Sequence, residues 1–488
     1  NISSMIGRFY EEGDKRRDGA FTLFYMGINM GAFLAPLTCG AIGENEGWQY
    51  GFLTAGIGMV IGYLVFVWGS KQGIYEDVGN GPDVELDKPI IPGLSNKMLP
   101  AVSTIIMIIL GSTLIVYNDI VDIILVLLAV LVIGYLLYEA GKMELQAKQR
   151  IWVVVVLLFF TTVFWTFFEL AGSALSLFTA RNVDRSLFGY EIKTTFFQSF
   201  NPLFIMLFAP IFSWVWIKLS NANKEPAAPY KFGMGLLLLG LGFLALNLGG
   251  ASATAGMIPA MFMVLLYLLH TIGELTLSPV GLSLVTKLSP RHMVGFLMGI
   301  WLLSSSLAHQ GGKHIAKLTT VNEKTIVQSD AFKASTMDED IKAILLTKKF
   351  TDKLDDSSIE AVLTDSSFIS ELNLKGNKSY SKSNVYVKEA LEEAESYKGT
   401  KKEKMLSAAN VSFITYEENT ITADTVSQSE LKNLTENTPG TAVINSIRSE
   451  SLNKGLSVFE MLGFIAMACG LILFLIGKRI KKWMHGIN

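Results

Sequence analysis

"LLYLLHTIGELTLSPVGLSLV", residues 265–285, is long and apolar enough to cross a bilayer, yet it carries a carboxylate, Glu274, near its centre and a proline, Pro279, five residues later. An ionised acid in hydrocarbon is costly, roughly 2.5–3.5 kcal/mol at a helix centre on insertion scales. Such a residue is neutral, paired or turned to a polar cavity, and each option makes it a pointer to function. Pro279 has no N–H for the carbonyl of Leu275 and crowds it, so the stretch is predicted to be a broken or kinked membrane helix. A free carbonyl beside an acid is how transporters build midplane sites; the alternative is a kink satisfied by Thr276 or Ser278.

The rest of the chain extends this reading. Of 488 residues, 50% are hydrophobic, and the mean hydropathy is +0.40. Charge is uneven: residues 313–454 hold 19 of the 41 Lys and Arg and 22 of the 43 Asp and Glu. The expectation is an all-α membrane protein with one soluble insertion. Apolar runs of spanning length fall at 20–42, 48–69, 99–117, 120–140, 151–178, 194–218, 231–250, 257–287, 293–312 and 455–477. The pair at 99–117 and 120–140 is joined by "NDIVD" alone, a tight membrane hairpin. Cys39 and Cys469 both lie in apolar runs, so no disulfide framework is expected, and a net charge of −2 offers nothing to nucleic acid.

Positive charge orients the spans. "EEGDKRRDG" (11–19), "KMELQAKQR" (142–150), "KLSNANKEPAAPYK" (218–231), "TKLSPRH" (286–292) and "GKRIKKW" (477–483) are basic, whereas "GENEGWQ" and "GGASATAG" carry no Lys or Arg. By the positive-inside rule both termini are expected in the cytoplasm and 313–454 outside it. One basic loop, "ARNVDRSLFGYEIK" (180–193), falls outside by parity. Within the insertion, "DEDIKAILLTKKFTDKL" reads as an amphipathic helix and "VSFITYEENTITADTV" as one or two strands, an α+β domain or a partly ordered insert.

Ionisable groups inside spans are the best functional pointers. Away from span ends there are two, Glu169 in "FFTTVFWTFFELAGSAL" and Glu274, and no Lys or Arg accompanies them in mid-span. Acids and amides without a cation suit a proton, a metal ion or an ammonium group. Glu169 follows Trp165 by four residues, a protonatable acid beside an aromatic wall, or else a neutral acid bonded to a neighbouring helix. His270, one turn before Glu274, joins a proton relay or is simply structural. "FYMGINMGAF" (24–33) sets Tyr25 and Asn29 on one face and contains Gly27 and Gly31 as a small-xxx-small spacing. Asn29, and Asn201 in "FQSFNPLF", either bind substrate or bridge helices; Trp301 and Ser305, four apart, form a site wall or pack. HExxH, Walker and GxSxG signatures and paired metal-ligand spacings are absent from the sequence, which supports no enzyme and no metal site.

Several of these segments together resemble the proton-dependent oligopeptide transporter (POT/PTR2) family of the major facilitator superfamily, bacterial 14-helix type. "FTLFYMGINMGAFLAP" resembles its fifth-helix FYxxINxG signature and "FWTFFELAGSALSLFTARNVDR" its seventh-helix FWxxxEQ segment with the trailing RNVD. "GELTLSPVGLSLVTKLSP" and "GFLMGIWLLSSSLAHQGG" resemble helices ten and eleven. The likeness runs over about 1–312 and 455–485, and the 99–140 hairpin fits the two extra helices of bacterial members. It also accounts for the basic outer loop.

The resemblance implies two six-helix bundles plus that hairpin. It implies that Asn29, Asn201 and Glu274 meet the peptide's amino terminus and backbone, that Trp165, Trp301 and Ser305 line side-chain pockets, and that Tyr25 is among the substrate-binding residues. Glu169 would take part in proton coupling, paired in the family with a first-helix arginine. "NISSMIGRFY" resembles the stretch after the family's fourth-helix FKP motif, so helices one to three and most of four are expected to be missing, with the ExxER motif and the carboxylate-binding lysine. The fragment alone is then expected not to transport. Leu170 stands where the family has glutamine, and the insertion has no counterpart in the family's minimal form.

The expected organisation is 1–70 as the remnant of the N-terminal bundle and 71–150 as linker and extra hairpin. Residues 151–312 then form helices seven to eleven, 313–454 a periplasmic insert, and 455–488 the last helix and tail. The expected function is proton-coupled symport of di- and tripeptides across a bacterial inner membrane, without a cofactor, with protons as the coupling ion. The expected partners are small peptides, the lipid bilayer and an unknown periplasmic partner of the insert. Two alternatives are a relative carrying another small solute such as nitrate, which would want a cationic site, and a membrane-anchored binding protein working through the insert.

Overall fold

A computed structural model describes residues 5, 9, 16–75, 89–91, 94–95, 98–187, 190–254, 256–290, 293–319, 413–417, 420–424 and 439–487. Its long elements are helices α1 (Arg16–Ala35), α2 (Ala41–Glu46), α3 (Trp48–Lys71), α4 (Leu99–Val116), α5 (Asn118–Lys142) and α6 (Leu145–Phe168). They continue as α7 (Ala174–Asn182), α8 (Phe200–Asn221), α9 (Ala228–Gly250), α10 (Ala260–Leu288), α11 (Val294–Leu318) and α12 (Pro439–Trp483). Backbone N–H and C=O groups have no water to bond in a bilayer, so apolar runs of this length become helices. Among the described residues nine segments are long and apolar enough to span. The run expected at 293–312 is the 25-residue α11, whose last turns carry Ser304, Ser305, Ser306, His309, Gln310, Lys313 and His314 and make it more polar than the rest.

α1 does not stop at Pro36. The five residues Pro36–Gly40 widen into a π turn and lead directly into α2, which accommodates a proline that cannot bond the preceding turn. Gly47, at φ 112°, then makes the sharp turn into α3, a conformation glycine adopts without penalty.

α9 is the hub of the fold, lying between α10 and α12. Phe232, Leu236, Leu239, Phe243 and Leu246 are fully buried along it. Lipid tails are as apolar as leucine, so helices associate here through close packing and not through escape from water. Gly233 and Gly240 on α9 face Gly470 and Gly463 on α12, seven residues apart on each antiparallel helix. A methyl at Gly240 would come within 2.6 Å of the Gly463 carbonyl oxygen, and one at Gly470 within 2.8 Å of the Gly233 oxygen. Gly27 and Gly31, the pair singled out in the sequence, contact nothing within 4 Å at their would-be methyl positions.

Short strands tie one end of the bundle. Val183–Asp184 (β1) pairs in parallel with Ile258–Pro259 (β2). The buried Asn182 donates to the carbonyls of Gly256 (2.8 Å) and Arg448 (2.7 Å) and accepts from the Ser451 hydroxyl (2.8 Å). The N–H and O–H of Ser186 both bond Asp184 and hold its carboxyl below the usual range. α1 and α2 dock here too: Glu44 accepts from the backbone N–H groups of Thr194 (3.2 Å) and Thr195 (2.7 Å), capping the 3-10 turn Thr194–Ser199. Ser199 donates to the Phe33 carbonyl at 2.8 Å. The α4–α5 hairpin is almost wholly exposed; only Ala129, Leu136 and Ala140 of α5 are buried.

Two expectations need correction. α10 is not broken at Pro279: it runs unbroken to Leu288, and the Thr276 hydroxyl bonds the Gly273 carbonyl, not that of Leu275. The break lies elsewhere, after Phe168, where Glu169–Gly172 forms a 3-10 turn and Ser173 (φ −133°, ψ −93°) starts a new direction into α7. The insertion is also shorter than 313–454, because α11 continues to Leu318 and α12 already begins at Pro439. Within it, Phe413–Glu417 (β3) and Thr420–Asp424 (β4) form an antiparallel hairpin. The proposed amphipathic helix at 338–354 lies outside the described residues.

Candidate functional site

The two span carboxylates sit within electrostatic range of one another on different helices. Glu274 projects from the middle of α10. Its Oε2 accepts from the Asn201 amide of α8 at 2.9 Å, and the same amide reaches the Thr271 hydroxyl at 3.1 Å. Thr271 in turn donates to the Tyr267 carbonyl one turn back, at 2.7 Å. Asn201 thus bridges two helices through groups three residues apart on one face of α10. Pro202 follows it in the first turn of α8, where a missing N–H costs nothing.

α1 faces this cluster. Asn29 is buried, and its amide donates to the Tyr25 carbonyl at 2.9 Å. The Tyr25 side chain interacts with Asn29 and lies within electrostatic range of Glu274, while about half of it stays exposed. Tyr25, Asn29, Asn201 and Glu274, spread over three helices, are therefore brought together. An acid fixed by an amide, with a phenol and a second amide opposite, has the chemistry to accept a cation that also donates hydrogen bonds, such as an ammonium group.

Glu169 stands at the break between α6 and α7, half-exposed. Its facing group is His309 of α11, with Nδ1 4.0 Å from Oε2. α11 lies close to α6 there because of two glycines: a methyl at Gly311 would come within 2.9 Å of Thr166 Cγ2, and one at Gly312 within 3.4 Å of the Thr166 carbonyl. Trp165, one turn before Glu169, is half-buried against Phe164 and Phe168, with edge-on rings at 5.6 and 5.2 Å. Trp301 is half-buried beside the core, and the buried Ser304 donates to its carbonyl at 2.7 Å. Ser305 is exposed. His270 turns away from Glu274: it is buried, bonded to the Leu239 carbonyl at 3.1 Å and set edge-on to Phe243 at 4.8 Å.

Sequence reasoning missed Thr271 and His309. Thr271 is readable in retrospect from its place three residues before Glu274. His309 gives no such signal, since its meaning depends on which helix α11 lies against.

A sequence model of the POT family matches residues 1–335. Peptide transporter YePEPT of Yersinia enterocolitica is 37% identical, over 63% of this chain and 63% of its own length. The uncharacterized transporter YclF of Bacillus subtilis is 34% identical, over 65% of this chain and 64% of its own. Dipeptide and tripeptide permease B of Salmonella typhimurium is 30% identical, over 66% and 65%. The chain thus spans a little under two thirds of the length of these relatives. Among solved structures, a POT family transporter in complex with 5-aminolevulinic acid is 28% identical over 65% of this chain and 66% of that one, with a TM-score of 0.54. Peptide transporter POT in complex with sulfate shares the fold at 24% identity, covering 100% of this chain and 73% of that one with a TM-score of 0.61. The family match, which covers the segments on α1, α6, α10 and α11, and the helical architecture agree, and the chain belongs to the POT family of multi-pass membrane transporters.

Proposed function

We propose that this protein is a proton-coupled symporter of di- and tripeptides, working by alternating access across a bacterial inner membrane. The observation that carries the reading is the Asn201–Glu274 bond at 2.9 Å, set opposite Tyr25 and Asn29. Glu274 receives the peptide ammonium, Asn201 fixes the carboxylate, and Asn29 and Tyr25 meet the peptide backbone. Trp165, Trp301 and Ser305 border its side chains. Glu169, at a helix break where a local change in charge readily alters direction, carries the proton; no cofactor takes part. Relatives named as a peptide transporter and as a dipeptide and tripeptide permease support the choice of cargo. A related transporter was solved with a thioalcohol conjugated peptide.

The basic segments put both termini in the cytoplasm and the residues between α11 and α12 in the periplasm, open to a partner there. The organisation follows as an N-terminal bundle portion to residue 70, the linker and extra hairpin to 150, the C-terminal bundle, the insert and the last helix.

The test is uptake of labelled dialanine by liposomes holding the full-length protein under an inward proton gradient. Accumulation should require the gradient, and Glu169→Gln should lower accumulation far more than peptide exchange. Gradient-independent accumulation would remove proton coupling, and parallel loss of accumulation and exchange in the variant would leave Glu169 a structural role only.

A further inference from the structure

We propose that His309 delivers the proton to Glu169 and that the α4–α5 hairpin holds it in place through Lys313. This rests on the symport reading above. The imidazole Nδ1 lies 4.0 Å from Glu169 Oε2, too far for a direct hydrogen bond but suited to one intervening water or a small side-chain rotation. Both side chains are partly exposed, His309 62% and Glu169 38%. Imidazole changes charge closer to neutral pH than other unperturbed side chains, which suits it to shuttle protons.

The transfer balances simply. The imidazolium gives its Nδ1 proton to the carboxylate, leaving neutral imidazole and a carboxylic acid, and the imidazole is reprotonated from the polar side.

α11 continues outward from His309 as a polar row. Lys313, one turn on, bonds Asn118 Oδ1 at 2.7 Å and Asp122 Oδ2 at 2.9 Å, with Asp119 at 3.9 Å, all on α5. His314 lies 3.9 Å from Asp122 and 3.4 Å from Gln310. The charged and titratable groups brought to this end of α11 are therefore Glu169 from α6, Asp119 and Asp122 from α5, and Arg181 on α7. Glu274 from α10 lies within range of Glu169, and α11 itself adds Lys313, His314 and Lys317. Lys148, Arg150, Glu139, Lys142 and Lys287 sit at the opposite ends of their helices. Pairing with Asp122 neutralises Lys313, whose ammonium would otherwise oppose a proton on His309 one turn away. The hairpin thereby acquires a role: it anchors the outer end of α11 and sets the charge beside the relay.

The test uses the full-length protein in proteoliposomes and compares gradient-driven dialanine accumulation with dialanine exchange. In His309→Ala and His309→Gln the ratio of accumulation to exchange should fall about tenfold or more. Added imidazole should restore accumulation in His309→Ala and not in Glu169→Gln, a rescue that a purely structural histidine would not show. Asp122→Asn should move the pH profile of uptake toward acid. An unchanged ratio in both histidine variants overturns the proposal, as does a parallel fall of accumulation and exchange without imidazole rescue. A wild-type protein that accumulates peptide regardless of the gradient overturns the symport reading itself, before any variant is compared.

Discussion

Replacing Asn201 with leucine tests the receptor most directly, because the side chains are nearly equal in size and only the amide is lost. Asn201 donates to Glu274 Oε2 at 2.9 Å and reaches Thr271 Oγ1 at 3.1 Å. Thr271 keeps its own bond to the Tyr267 carbonyl at 2.7 Å, so the substitution strands one group, the Glu274 carboxylate. A hydrogen bond to a charged group is worth about 1.5–3 kcal/mol net. Glu274 is half-buried, so the low end applies, about 1.5 kcal/mol, which is roughly tenfold in Kd. Water replaces the amide in the free protein and is displaced when an ammonium arrives, so the loss falls on the complex. Calorimetry with dialanine and N-acetyl-dialanine separates the outcomes: Asn201→Leu should weaken the free-amine peptide about tenfold and the acetylated one far less. Equal weakening of both, or no change in either, would refute an ammonium receptor built on Glu274.

Three further outcomes concern what holds the site in place. Gly240→Ala puts a methyl 2.6 Å from the Gly463 oxygen and should cost about 1–3 kcal/mol of stability by forcing α9 from α12. The control Gly134→Ala, with nothing within 4 Å, should leave the melting temperature level or slightly higher. Asn182→Ala leaves the Gly256 and Arg448 carbonyls without its amide and Ser451 without its acceptor, and thermal melts should show a loss of about 2 kcal/mol or more. The buried Lys231 bonds Glu225 in the loop before α9 and lowers its carboxyl pKa below the ordinary 4.5. A depressed folded value means that stabilisation is full above about 4.5 and fades as pH falls through the lowered value. The melting difference between wild type and Glu225→Gln should therefore be present at neutral pH and vanish in acid; a constant difference would show that the pair contributes nothing through charge.

Much of the fold was readable because hydrocarbon leaves the backbone so little choice. The runs at 48–69, 99–117 and 231–250 became Trp48–Lys71, Leu99–Val116 and Ala228–Gly250, each within a few residues. What hydropathy does not encode is which faces meet. Gly27 and Gly31 have the spacing of a packing motif, yet among the described residues nothing lies within 4 Å of their would-be methyl positions, whereas Gly240 and Gly463, on helices more than two hundred positions apart, meet at backbone distance. A small-residue spacing says that a helix permits close approach, not which partner comes. Pro279 misled for a related reason: a proline frees a carbonyl, but within a bundle that carbonyl is readily re-satisfied, so the helix continues. The break formed where Gly172 and Ser173 follow Glu169, residues with weak helix preference and no proline among them.

The candidate site divides the same way, and the division bears on what each acid does. Residue types were legible, since an acid in a span is rare enough to stand out, but the pairing of Asn201 with Glu274 across 73 positions was not. That pairing separates two carboxylates that look alike in sequence. Glu274 projects from an unbroken helix and is pinned by a fixed amide. An acid held this way has its geometry set, which suits it to receive an ammonium. Glu169 stands at a helix break, half-exposed, facing an imidazole 4.0 Å away. There α6 and α7 meet at a turn and not along a continuous rod. On the proposed reading the fixed donor marks the receptor, and the titratable neighbour at a break marks the carrier.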